Sequence, residues 1–368
     1  MRIIVLCLSP GRGGLELYAL REIEYLRSCG IDCTAVVAAN GMLEEKLTEA
    51  GVAPLVLHSG INSFPLFRAK KLAEIIQQEK ADILHFHWSK DLNLAALAKA
   101  LAARPLKLVY SRHMGITRSK RDIFHAWFYR RLDKFLVTTK VMLQQAKKNL
   151  PVAQERIELL YLGVEAPQHK AARCRHFFAD AGFARRKLNI ALFGRIEEGK
   201  GQHLMLDALA MLLQEGREIS VTIIGHVMDE AYFNRLKNKA REYGLQNHLR
   251  FEGFVREPLE VMGCFDLIVL TTYCETFGLV LVEAMRAGVA VVGTDAGGVP
   301  EIIEHGKSGM LVEPGNAGAL AKVVGQLYED EALLKKLAAQ GKQKADSLFS
   351  ETTHFARLKQ IFGTLLNG

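Results

Sequence analysis

At 368 residues the chain is long for one hydrophobic core, and about 150 residues per domain points to two. With 49% apolar residues, 24% charged residues and 31 glycines against 9 prolines, it reads as a well-packed globular chain, which excludes collagen-like, mucin-like and wholly disordered classes. The formal net charge of +8 is confined to the first half: residues 1–165 hold 24 of the 48 basic and 16 of the 40 acidic side chains, leaving the remainder balanced at 24 of each.

In chain order, short apolar runs alternate with longer amphipathic stretches. Residues 3–8, 33–38, 83–86, 106–110 and 135–138 read as strands, and 16–28, 66–79 and 92–102 as helices. Such alternation predicts a parallel sheet covered by helices on both faces. Over 163–187 the pattern dissolves into a polar, basic segment, read as the interdomain connection. It restarts with strands at 188–193, 220–225, 249–253, 266–271, 290–294 and 310–312, and helices near 202–214, 230–243, 279–287 and 317–347. The expected fold is α/β, with two Rossmann-like doubly wound domains at 1–165 and 166–350. A last helix, at 351–366, can cover either domain, and the C-terminal segment 351–368 is a candidate to pack on the first.

The six cysteines, Cys7, Cys29, Cys33, Cys174, Cys264 and Cys274, contain no C-x-x-C pair and are read as free thiols, mostly buried, in a reducing cytosol. The run 3–8 is too short for a signal-peptide core, and no stretch approaches the roughly 18 apolar residues of a membrane span. A cytoplasmic chain, soluble or peripheral on the inner membrane face, is expected.

Ligands of doubly wound sheets bind beyond the carboxyl ends of the strands, so the glycine turns there are where chemistry is sought. The first, from Ser9 to Glu16, has Gly11 and Gly13 but carries Glu16 at the third glycine position, so the dinucleotide fingerprint fails. It reads equally as a plain tight turn or as backbone N–H groups for a phosphate or sugar hydroxyl. The second, from Gly194 to Gly201, nearly matches a P-loop but ends in Gly201 where a Mg²⁺-binding hydroxyl is needed. Arg195 and Lys200 remain as a pair that can neutralise a diphosphate without a metal.

The third constellation is the most specific. Glu275 ends a loop after a strand, Phe277, Gly278 and Leu279 open a helix whose first N–H groups face an anion, and Glu283 follows two turns on. Gly288, Gly297 and Gly298 supply further turns. Two carboxylates with glycine turns at a strand-end edge suit a polyhydroxylated ligand that carries phosphates.

Here the chain resembles the retaining nucleotide-sugar glycosyltransferases of GT-B fold, the glycosyl transferases group 1, which include lipopolysaccharide-core and mannosyl-lipid enzymes. The resemblance runs from Gly13 and Gly14 through His85, His87, Ser111 to His113, Gly163, Gly194, Arg195, Lys200 and Gly201 to Glu275, Glu283, Gly297, Gly298 and Glu301. It implies an interdomain cleft and the following roles. Glu275 faces hydroxyls of the donor sugar and Glu283 takes the ribose; Phe277, Gly278 and Leu279 offer backbone N–H groups to sugar and phosphates. Arg195 and Lys200 hold the diphosphate, His113 reaches the reacting sugar from the other domain, and Gly14 lies at the cleft turn. It also implies same-face attack, with the leaving phosphate oxygen taking the acceptor's proton. Leu162 stands where the family has Asn, and Thr271 and Thr272 where it has Pro-Ser, which bears on donor preference. No Asp-x-Asp metal clamp is present, so no cofactor or metal is expected. The donor expected is a nucleoside-diphosphate sugar, UDP-sugar favoured, carrying a hexose.

His85 and His87 lie two apart at a strand end, which permits a metal pair on one face of the sheet. No carboxylate or cysteine stands beside them at ligand spacing, so a metal is not expected; packing is the favoured role, with His87 nearer the cleft. Residues 104–148 carry twelve basic side chains against Asp122 and Asp133. There Ile123, Phe124, Trp127 and Phe128 share a helix face, as in an interfacial helix or a core one, the core reading being favoured. A P-loop NTPase leaves the Glu275 segment unused, and no base-reading or stacking module supports a nucleic-acid partner. A nucleotide-sugar epimerase or isomerase on the same fold is the alternative. The leading expectation is hexosyl transfer to an anionic glycan or glycolipid acceptor, such as lipopolysaccharide core or a lipid-linked saccharide, with possible contact to an anionic membrane.

Overall fold

A computed structural model describes residues 1–57, 66–167, 174, 186–255 and 257–367. Most of the expected interdomain connection, 163–187, falls outside them. The chain divides into one unit of Met1–Tyr161 with His354–Gly368 and a second of Leu162–Thr353. The first unit's leading stretch ends at Tyr161, and all but the first turn of the last helix is grouped with it.

In the first unit seven parallel strands are ordered β3-β2-β1-β4-β5-β6-β7. They are β1 (Arg2–Cys7), β2 (Asp32–Val37), β3 (Leu55–Val56), β4 (Ile83–Phe86), β5 (Lys107–Arg112), β6 (Lys134–Val137) and β7 (Ile157–Leu159). β3 and β7, two and three residues long, are edge strands that periodicity did not reveal. Helices α1 (Gly14–Ser28), α2 (Met42–Glu49), α3 (Leu66–Gln78), α4 (Leu92–Leu101), α5 (Ile123–Tyr129) and α6 (Lys140–Asn149) connect them. A core of Ile4, Leu6, Val36, Leu84, Leu108, Tyr110 and Phe135 runs through the sheet, with Phe86 stacked on Tyr110 at 4.4 Å.

The second unit repeats the plan with six strands, β10-β9-β8-β11-β12-β13. They are β8 (Leu188–Phe193), β9 (Ile219–Ile224), β10 (Leu249–Glu252), β11 (Leu267–Leu270), β12 (Ala290–Thr294) and β13 (Met310–Val312). The central strands are wholly buried, as expected for a parallel sheet covered on both faces. Its helices are α7 (Gln202–Gln214), α8 (Glu230–Glu242), α9 (Pro258–Met262), α10 (Leu279–Arg286), α11 (Val299–Ile302), α12 (Ala317–Glu329) and α13 (Glu331–Leu348). The single helix expected over 317–347 is two. Asp330 interrupts it with ψ at 84° and turns its carboxylate to accept the Leu333 N–H at 2.8 Å, an N-cap for the second. Helix α14 (Glu351–Asn367) ends the chain.

In each sheet the order reverses beside the first strand, between β1 and β4 and between β8 and β11. Those are the two switch points where crevices open at the carboxyl ends of strands.

The cysteine reading needs correction. Cys174 and Cys264, separated by 90 positions in sequence, are joined as a disulfide with Cα atoms 5.2 Å apart, a tertiary contact that spacing does not reveal. Among the other four, Cys7 and Cys33 are buried, with burial pushing both thiols up to about 12, whereas Cys29 and Cys274 are exposed.

Candidate functional site

At the second unit's switch point three turns meet. Lys200 follows β8 and Glu275 follows β11, and their side chains pair, Nζ to Oε2, at 2.8 Å with about a fifth of each exposed. Glu275 Oε1 accepts the Thr276 N–H at 3.1 Å, and its backbone carbonyl accepts the Gly298 N–H at 2.9 Å. Glycine is required at two of these crossings. Gly201 has φ +66°, and a Cβ there would sit 2.3 Å from the Thr271 carbonyl; Gly297 has φ +60°, with a Cβ 2.0 Å from the Glu275 carbonyl. The residue that spoils the P-loop pattern is thus the one that lets the β8 and β11 turns touch, and a serine or threonine hydroxyl cannot occupy it.

The two threonines standing for Pro-Ser join the same turns. Thr271 Oγ1 donates to the Lys200 carbonyl at 2.8 Å, and Thr272 Oγ1 to the Gly199 carbonyl at 3.1 Å. Lys200 and Glu275 are thereby held by their backbones as well as by each other. Arg195 lies on the β8 turn, but its guanidinium is more than half exposed and pairs with Glu197 at 2.9 Å; the two cations of the turn do not share one partner. Gly278, φ +99°, caps α10, Leu279 starts it, and Glu283 lies half-buried one turn on rather than two. The N–H groups of Leu279 and Val280 have no acceptor within the helix, as at any helix start. Phe277 is buried, its ring edge-on to Phe349 at 5.8 Å.

In the first unit, Gly14 opens α1 after β1, with open space where a Cβ would point. Glu16, which breaks the dinucleotide fingerprint, folds back so that Oε2 accepts the Gly13 N–H at 2.9 Å. A carboxylate already occupies this helix start, which disfavours a phosphate there and leaves the turn to hydroxyl or N–H partners. His113 follows β5, half-buried, with its ring 4.5 Å from Tyr18 and Nε2 3.4 Å from His87 Nδ1. Burial, with the imidazoles of His87, His354 and His85 nearby, holds it well below the usual histidine range, so it is neutral at pH 7.

His85 and His87 are both buried, so His87 does not reach outward. They do have a carboxylate neighbour, contrary to the reading from spacing: Glu22 of α1 approaches His85 Nδ1 at 2.5 Å and His87 Nε2 at 3.0 Å. The three offer ligand atoms within 4.8 Å of one another, and among the described residues this is the one such cluster of three or more. Donor chemistry permits a divalent cation, but the 2.5 Å contact holds a proton between Glu22 and His85 that any cation must displace. The missed signal was in α1: Glu22 falls in the buried stripe with Ala19, Ile23 and Leu26, where a carboxylate demands a partner.

The favoured core reading of the aromatic helix also fails for three of its four residues. In α5, Phe128 is buried, but Ile123 is 92% exposed, Phe124 52% and Trp127 38%. The helix is only seven residues long, and Ala126, Phe128 and Tyr129 exhaust its inward face. Arg131 covers the Trp127 ring at 3.3 Å. Parts of the basic patch serve the fold: Arg112 donates to the Met114 and Gly115 carbonyls, and Arg121 to those of Lys147 and Lys148. Among the described residues no helix is long and apolar enough to cross a membrane.

Two family models match in succession: Glycosyltransferase Family 4 over residues 12–167 and Glycosyl transferases group 1 over 176–344. The chain is similar to an N-acetyl-alpha-D-glucosaminyl L-malate synthase of Bacillus anthracis, 23% identical with 82% of this chain and 80% of that one covered. It is also similar to the lipopolysaccharide core biosynthesis mannosyltransferase LpcC of Rhizobium leguminosarum bv. viciae, 26% identical over 68% and 69%. In fold it matches Anabaena HepE in complex with UDP and glucose, with a TM-score of 0.82, 24% identity and 99% of both chains covered. The chain belongs to the glycosyl transferases group 1 and is a glycosyltransferase of GT-B fold.

Proposed function

We propose that the protein is a retaining hexosyltransferase that takes its sugar from a UDP-sugar and passes it to an anionic glycan or lipid-linked saccharide, lipopolysaccharide core being the favoured kind, without a metal. The observation that carries this reading is the Lys200–Glu275 pair at the β8/β11 switch point. Breaking an anomeric bond builds positive charge on the sugar and negative charge on the leaving diphosphate. A fixed ammonium at the diphosphate and a carboxylate at the sugar oppose those charges where they form. Lys200 and Glu275 satisfy each other across 2.8 Å; with donor bound, Lys200 turns to the diphosphate and Glu275 to sugar hydroxyls.

Arg195 adds a second cation, Phe277, Gly278 and Leu279 offer N–H groups, and Glu283 takes the ribose. His113, neutral, serves the reacting sugar as a hydrogen-bond partner, and Gly14 stands at the first unit's turn. The acceptor's proton leaves with the departing phosphate oxygen, so no protein base is needed on the attacked face. Support for a UDP-sugar comes from the UDP complex of HepE, and for a lipopolysaccharide acceptor from the name of LpcC. The test is nucleotide release: purified protein is screened against nucleotide sugars by thermal shift, then the stabilising donor is assayed with candidate acceptors. Free UDP formed only when an acceptor is present is the expected result. A product sugar isomer formed without acceptor refutes transfer.

The acceptor side is proposed to meet an anionic membrane on its cytoplasmic face through α5. Ile123, Phe124 and Trp127 supply exposed apolar surface, and the neighbouring Arg118 and Arg130 supply charge worth about 1 kcal/mol each at such a surface. Co-sedimentation with liposomes is expected to rise with anionic lipid content and to fall in an Ile123→Ser/Trp127→Ser variant. Binding independent of both refutes the contact.

A further inference from the structure

Behind His113 lies a polar cluster that sugar transfer does not by itself require. Glu22 is fully buried, and so are the side chains of His85 and His87, which project from one face at the end of β4. Glu22 Oε1 meets His85 Nδ1 at 2.5 Å, and His85 Nε2 meets Ser111 Oγ at 2.8 Å. Glu22 Oε2 faces His87 Nε2 at 3.0 Å, a contact too poorly aligned to count as a hydrogen bond, and neither atom has another partner. A bare imidazole nitrogen so close to a carboxylate oxygen would set two lone pairs against each other in a dry interior. The proton of His87 therefore sits on Nε2. Burial and the neighbouring His85 keep His87 neutral, which leaves its Nδ1 bare. His113 Nε2 lies 3.4 Å from that nitrogen and is the donor in the contact.

We propose that Glu22 is a positioning residue for His113: acting through His87, it fixes the tautomer in which His113 carries its proton on Nε2 and presents Nδ1 as an acceptor for a hydroxyl. A second pair closes the other side of the cluster. Tyr18 packs its ring against His113 and His87, with centroids 4.5 and 5.1 Å away, and directs its O–H to His354 Nε2 at 2.7 Å. His354 can accept there because its Nδ1 donates to the Tyr161 carbonyl at 2.6 Å. The phenol proton is thus directed to His354 and away from the chain Glu22, His87, His113. The bearing of this relay on transfer rests on the role proposed above for His113, whereas the tautomer itself does not.

Nitrogen-15 NMR of the histidine-labelled full chain at pH 8 reads it directly, with the His113 signals assigned by their loss in His113→Gln. Wild-type His113 is expected to be neutral with Nε2 protonated and Nδ1 bare. In Glu22→Leu, which removes the acceptor at little change in volume, His113 is expected to populate both tautomers. A wild-type proton on Nδ1, or a Glu22→Leu spectrum with His113 unchanged, overturns the proposal. Should Glu22→Leu not fold, Glu22→Gln replaces it: the amide sets an NH2 donor where one of the two carboxylate oxygens faced an imidazole N–H, so His85 or His87 must change tautomer, and no change in either overturns it. An active His113→Gln enzyme beside the expected wild-type spectrum would refute the role of His113 while leaving the relay intact.

Discussion

Both units place the first strand inside the sheet and reverse the strand order beside it, yet the two switch points are filled in opposite ways. In the first, a buried carboxylate and buried imidazoles occupy the space behind the strand ends, sealed by Tyr18 and His354. In the second, glycine turns draw three loops together around an ion pair, Lys200 with Glu275, that water still reaches. A buried polar network resists exchange of partners because every group it loses is stranded in a low dielectric. A partly exposed ion pair exchanges partners at small cost, since water and ligand can replace either side. One topology therefore supplies a rigid side and an exchangeable side.

The sharpest way to break this comparison is at the exchangeable side. Lys200→Ala and Glu275→Ala are each expected to lower kcat/KM by about a hundred- to a thousand-fold, the usual loss when one preorganised charge-stabilising group is removed. Far-UV circular dichroism is expected to stay close to wild type and the melting midpoint to fall by no more than a few degrees, because water reaches about a fifth of each side chain and can solvate the partner that is left. Near-normal turnover in either variant refutes the assignment of the site.

Acid separates the two sides next. His354 is held down to about 4, chiefly by burial, and His87 and His113 are shifted in the same direction. As pH falls below the ordinary histidine value of about 6.5, the unfolded chain takes up protons that the folded unit refuses, and stability drops. For His354 alone the loss is about 2 kcal/mol by pH 5. Glu22 works in the same direction lower down: its folded value is depressed, against the pull of burial, by His85 and His87, so its contribution is lost as pH falls below about 4.3, the ordinary glutamate value. Both tryptophans, Trp88 and Trp127, belong to the first unit. In urea at pH 5 the tryptophan fluorescence transition is therefore expected to precede the circular dichroism transition of the whole chain, with a smaller gap at pH 8. Coincident transitions at pH 5 would show that the first unit has no such weakness.

The same contrast explains what could be read from sequence. Most strands were legible because buried parallel strands are apolar runs bounded by turn residues, and the second site was legible because its parts are glycines and charges at strand ends. Glu22 was not, because a carboxylate within an amphipathic helix looks like surface until its partners on β4 are known. The exposure of Ile123 and Trp127 and the Cys174–Cys264 bond escaped for the same reason: each depends on a tertiary neighbour, which no local period encodes. From sequence Gly201 is a missing hydroxyl, and only the Thr271 carbonyl beside it shows why none can be there.

That glycine also bears on the smallest effect expected, that of chelation. A divalent cation has two places to enter. At the second switch point the position that would bring a hydroxyl ligand is closed by the Thr271 carbonyl, and in the proposed donor site Lys200 and Arg195 are the cations that would meet the diphosphate. At the first, Glu22, His85 and His87 have suitable donor atoms, but the proton between Glu22 and His85 occupies the shortest contact, and the cluster is buried. Release of that proton and entry of an ion would leave His87 without its carboxylate neighbour and so disturb His113. EDTA is therefore expected to change initial rates by less than about twofold, within the scatter of mutational energies below 0.5 kcal/mol, and added Mg²⁺ or Mn²⁺ is expected to do no more. Loss of turnover in EDTA with recovery on adding either ion would overturn the division. It would assign the charge stabilisation at the exchangeable side to a bound ion, with Lys200 left as the partner of Glu275.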